Sequence, residues 1–80
     1  MTREEILAKV RLAFHESFGT EAALVVAEAI PEQIPGWDSL GHATLVVSLE
    51  KVFELTFEID DLMAMESVAA IVEIVSRKIA

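Results

Sequence analysis

GWDSLGHATLVVSLEKVFEL, residues 36–55, is the stretch on which the reading of this chain turns. It opens on a Pro35–Gly36 turn signal. Beyond Asp38 the apolar residues recur at three- and four-residue spacing, which predicts a helix from about Asp38 to Glu54. At about 100° per residue, His42, Leu45, Val46, Leu49 and Phe53 share one arc, the expected core stripe. Leu40, Thr44, Val47 and Lys51 form a tighter stripe on nearly the opposite side. Leu40 and Val47 are apolar where a plain surface helix would be polar, so this stripe reads as a contact face.

Outward from that helix, residues 3–18 form another. Ile6, Leu7, Val10, Ala13, Phe14 and Phe18 repeat with the helical period. Thr2 is placed to cap it, Glu5 stands three residues later in the capping-box position, and Gly19 supplies the stop. Residues 19–37 are irregular; TEAALVVAEAI fits either a short helix or an extended piece, and Pro31 and Pro35 break any helix there. Connections this long are often functional. Downstream, a short third helix is expected near Ile59–Met63, with Met63 and Met65 as packing residues. Ser67 would cap a last helix over Val68–Ile79 whose buried face is Val68, Ile71, Val72, Val75 and Ile79. No stretch alternates as a strand does. The expectation is one all-α domain over 1–80: a small four-helix bundle of three main helices and one short one, with a long loop between the first two.

Composition narrows the function. Hydrophobic residues make up 54% of the 80, enough for a core at a size that does fold alone. With no cysteine and only His15 and His42, a disulfide framework is excluded and no metal site is expected. The net charge is −8. Between Leu12 and Ser76 there is a single base, Lys51, against twelve acids. Nucleic acid is therefore a poor partner, and a protein with a basic patch is a better one. No apolar run approaches the length of a membrane span, and the first residues lack a signal-peptide pattern. A soluble, cytoplasmic monomer is expected.

Ser39 then admits three roles. As a nucleophile it lacks the first glycine of the elbow motif, because Trp37 stands there. A triad with Asp38 and His42 would need a separate carboxylate and an oxyanion hole, and His42 turns toward the core stripe. As part of the cap, Asp38 or Ser39 is sufficient, yet a cap explains neither Leu40 nor the long preceding loop. As a modification site, its hydroxyl lies where unpaired amides and the positive end of the helix dipole favour a phosphate.

The segment WDSLGHATLVVSLEKVFEL resembles the phosphopantetheine attachment region of acyl carrier proteins. Asp38-Ser39-Leu40 matches the family's signature at the start of its second helix, and Leu49–Phe53 matches the acidic-aromatic end. FEIDDL and SVAAIVEIV resemble the family's third and fourth helices. The resemblance implies that Ser39 bears a 4′-phosphopantetheine arm, installed from coenzyme A by a phosphopantetheinyl transferase, with Asp38 and Leu40 beside it. The arm's thiol would hold acyl groups as thioesters, and the protein would be no enzyme but a carrier presenting cargo to acyl-loading and acyl-processing partners with basic or apolar docking patches. Docking would involve Leu40, Thr44, Val47, Glu50, Lys51 and Glu54. Val46, Leu49, Phe53, Leu62, Ile71 and Val75 are candidates to line the acyl chain, each being first a core residue. Thr44 and Lys51 depart from the acidic stripe of the fatty-acid carriers, and the WDSLGH form is more similar to carriers of specialised pathways. Gly41 costs a first helical turn up to about 1 kcal/mol; its small size is expected to let an enzyme or the arm lie close. An aminoacyl or peptidyl carrier, and a helical interaction module without the arm, are the alternatives.

Overall fold

The computed structural model describes residues 1–79. Helix α1 spans Arg3–Phe18, α2 Ser39–Phe53, α3 Ile59–Ala64 and α4 Val68–Ile79; the connection after α1 carries two single 3₁₀ turns, Ala22–Leu24 and Pro31–Gln33. Among the described residues there is no strand. The all-helical architecture is the expected one, with α3 one residue longer than the spacing indicated.

Local chemistry sets the helix ends. The Thr2 hydroxyl accepts the Glu5 N–H at 3.1 Å while Glu5 Oε1 accepts the Thr2 N–H at 2.7 Å, so the capping box is complete. Gly19 ends α1 in the left-handed region, φ 70°. At α4 the Ser67 hydroxyl accepts the Ala70 N–H. The amides of Val68 and Ala69 donate to the carbonyls of Ala29 and Ala27 at 3.0 and 2.9 Å. The long connection thus supplies acceptors to α4's opening turn, which has no helical acceptors of its own.

The core is built where α1 packs on α2 and α4. Ile6, Val10 and Phe14 meet Leu45, Leu49, Val68, Ile71 and Val75, all at most 1% exposed. Each such side chain removed from water contributes about 1.5–3 kcal/mol. Val25, Ala29, Ile34 and Trp37 bring the long connection into the same cluster, so that loop is an integral wall. Two expectations need correction. Ile79 is 37% exposed, and Ile74, at 3%, is buried instead: α4 turns its last turn away from the core, and Ile74 extends the buried arc. Met63 is 73% exposed while Met65 is buried, because α3 ends between them and only Met65 turns inward.

Candidate functional site

The loop before α2 is a tight turn. Trp37 N–H donates to the Ile34 carbonyl at 3.1 Å, Pro35 holds the second position, and Gly36 the third at φ 93°, as in a type II turn. Trp37 comes next, 2% exposed, its ring edge-to-face with Phe14 at 5.0 Å. With Trp37 anchored, Asp38 becomes the N-cap. Its Oδ1 accepts the Gly41 N–H at 2.8 Å, and its carbonyl accepts the first helical bond, from His42 N–H at 2.7 Å.

Ser39 is therefore the first helical residue and is exposed. Its amide and that of Leu40 precede the first helical bond and point out of the helix mouth. An exposed hydroxyl, two free amides and the positive end of a fifteen-residue helix form a seat that fits a phosphodiester. The triad reading fails on geometry: Asp38 is engaged by Gly41 N–H, and His42 is bonded to Trp37 and Leu62, not to Ser39.

An open groove of about 720 Å³ runs from Ser39 past α3. Its walls are Ile30, Pro31 and Glu32 from the long connection, Trp37, Asp38, Ser39 and His42 from the α2 entry, and Leu62, Met63, Met65 and Glu66 from α3 and its exit. Of the acyl-lining candidates, Leu62 lines this groove. Val46, Leu49, Ile71 and Val75 are buried in the packed core, and Phe53 is half-buried at its edge under the Lys9 ammonium. The groove itself escaped the sequence reading: its walls come from three segments separated by up to thirty-six positions, Ile30 to Glu66. The pairing of a tryptophan with a histidine five residues on, both facing inward, was the one local signal of it.

His42 joins these parts. It is half-buried. Its Nδ1 accepts the Trp37 indole N–H at 2.9 Å, and its Nε2 lies 3.0 Å from the Leu62 carbonyl oxygen. The two ring planes are 25° apart with centroids at 6.2 Å, the edge-to-edge arrangement that the N–H···N bond sets. The expected half-buried packing role is present, with two specific bonds added to it.

On the outward face Leu40 is 87% and Val47 65% exposed, with Thr44 and Lys51 also exposed. Glu54 is exposed in the left-handed conformation, φ 53°. Glu50 differs: it is half-buried, and its Oε2 accepts the Phe57 N–H at 2.9 Å, so this carboxylate serves the loop after α2. Gly41 requires a correction. A Cβ there would overlap the Gly36 carbonyl oxygen and come within 3.0 Å of Phe18 Cε1. The missing side chain makes room for the turn backbone and α1, not for an enzyme or the arm.

A family model described as the phosphopantetheine attachment site matches residues 36–75, which hold the α2 entry, α3 and most of α4. An acyl carrier protein of an Exiguobacterium species is 32% identical over 79 residues, covering 99% of this chain and all of that protein. Another from Exiguobacterium sibiricum matches with the same identity and coverage. A match end to end, with the attachment region inside it, means that the chain belongs to the acyl carrier protein family, non-catalytic carriers whose cofactor is a covalently attached 4′-phosphopantetheine.

Proposed function

We propose that Ser39 is the attachment residue and that the chain carries acyl rather than aminoacyl cargo to partner enzymes. The observation that carries the reading is the exposed Ser39 hydroxyl at the mouth of α2, opening onto the groove. The acyl assignment rests on the two relatives, both named acyl carrier proteins. When attached, the arm supplies a thiol that holds cargo as a thioester, chemistry this cysteine-free chain lacks. The protein's own part is positional. Asp38 fixes the first turn, the amides of Ser39 and Leu40 would hold the phosphodiester, and Trp37, Leu62, Met63 and Met65 would offer apolar surface in the groove beside it.

Docking falls to the face of α2 that bears Leu40, Thr44, Val47, Lys51 and Glu54. Glu50 contributes negative charge from a carboxylate already holding the loop. Lys51 on this face supports a specialised pathway over the housekeeping fatty-acid one. Intact mass tests the assignment. Co-expression with a broad-range phosphopantetheinyl transferase is expected to add the mass of one arm, and Ser39→Ala to abolish the gain. A persistent gain in that variant would refute the site, and the mass of the natively loaded arm would identify the cargo.

A further inference from the structure

We propose that His42, as its neutral Nε2–H tautomer, is a positioning residue that clamps the segment bearing Ser39, and that protonation of the ring opens the clamp at Trp37. The proposal goes beyond the carrier reading and concerns how the attachment segment is held.

Two partners dictate the ring's state. An indole N–H can only donate, so Nδ1 must offer a lone pair to Trp37. The Leu62 carbonyl can only accept, so Nε2 must carry the hydrogen. One protonation state satisfies both. An imidazolium has a hydrogen on each nitrogen. It would keep the bond to Leu62 but set Nδ1–H against the indole N–H, leaving a donor at a residue only 2% exposed without an acceptor.

The position of this link gives it a consequence. Trp37 lies two residues before Ser39 and His42 three after. Their bond closes a short loop around Asp38, Ser39, Leu40 and Gly41, and Leu62 ties that loop to α3. The α3 helix has only six residues and none is buried, so the carbonyl contact adds to a hold that otherwise comes from Leu62 packing on the core and the Asp61–Lys78 pair.

The charged groups around the ring are known. Glu32 from the long connection, Asp38 from the α2 entry and Glu66 from the α3 exit line the same groove, and no cation does. The ion pairs among the described residues, Arg3–Glu73 and Lys78–Asp61, do not involve the ring. His42 is the one imidazole lining this groove, and imidazoles as a class ordinarily change charge between pH 5 and 8.

The test uses the protein before arm attachment, so it does not depend on the assignment of Ser39. Trp37 is the sole tryptophan, and its indole ¹⁵N–¹H signal reports the bond directly. As pH falls from 8 to 5 the signal is expected to shift and its protection from solvent exchange, relative to the free indole at each pH, to fall severalfold. His42→Gln retains one acceptor and donors without a titrating proton, and in it the signal should hold its neutral-pH position. His15 remains in that variant as a control. Transferase action on Ser39, measured as KM and kcat from pH 5.5 to 8, should show a pH step in the wild type. The step should be absent from His42→Gln and from Trp37→Phe, which keeps a buried ring but deletes the donor. A wild-type indole signal indifferent to pH would overturn the proposal, as would the same titration in His42→Gln or a transferase profile alike in all three proteins. A wild type that never accepts the arm would refute the attachment site while leaving the indole measurement decisive for the clamp.

Discussion

Gly41 is the residue whose replacement the α2 entry tolerates least. The turn carbonyl of Gly36 and the Phe18 ring occupy the space a Cβ would need. Backbone cannot step aside as a side-chain tip can, so overpacking there displaces the whole Pro35–Trp37 turn. Gly41→Ala, which would raise helix propensity by about 1 kcal/mol at an open position, is expected instead to destabilise the fold by about 2–3 kcal/mol, measured by urea denaturation. An unchanged midpoint would show that the turn and α2 do not approach so closely. Gly36 belongs to the same contact: its φ of 93° suits glycine alone, and a Cβ there would sit 2.9 Å from Phe18 Cδ1. Sequence could flag Gly41 as a costly residue in a first helical turn. The reason for the cost lay in Phe18, twenty-three positions earlier, and was beyond any local pattern.

At the scale of the element, α3 stands out. Six residues are too few to hold a helix by backbone bonds alone. Its polar anchor on the α4 side is Asp61, whose carboxylate takes the Lys78 ammonium at 2.8 Å and the Glu58 N–H at 2.9 Å. The Lys78 contact first, and then the Glu58 amide, hold the Asp61 carboxyl below the ordinary aspartate range. A carboxyl depressed in the folded state stabilises above its unfolded pKa and loses that contribution as pH falls through the folded value. Acid is thus expected to loosen α3 below about pH 4, well away from the histidine window. Asp61→Asn should raise α3 amide exchange at neutral pH and flatten its acid dependence between pH 5 and 3. Equal exchange in the variant and the wild type at pH 7 would remove Asp61 from the anchor. Capping contacts such as Thr2–Glu5 and Asp38–Gly41 span three residues and were legible in the sequence. The bonds of Asp61 to Lys78 and of His42 to Leu62 join separate helices; nothing in either neighbourhood announces the other, so the anchors of α3 and the groove were not.

Across the whole molecule the charge is asymmetric in use as well as in number. Arg3 pairs with Glu73, Arg11 donates to the Val25 carbonyl, Lys9 reaches the Val52 carbonyl, and Lys78 binds Asp61. Four of the six cations are thus engaged within the chain, on a body only 30 × 25 × 20 Å across that carries a net charge of −8. Salt should therefore steady the fold while weakening docking, and each effect has its own measurable quantity. Like-charge repulsion within the fold is screened as the Debye length shrinks from about 30 Å at 0.01 M to about 10 Å at 0.1 M, so Tm should rise over that range. Attraction to a basic partner is screened by the same ions, so KM for the transferase should rise too. Glu54→Lys should flatten that KM dependence without removing a bond from the fold, whereas reversing Glu50 would also strip the Phe57 amide of its acceptor. A salt-insensitive KM beside a salt-sensitive Tm would separate the two effects and move docking onto the exposed apolar residues Leu40 and Val47. Val47→Asp, at a position 65% exposed and outside the core, would then be the change that stops transfer while leaving Tm in place.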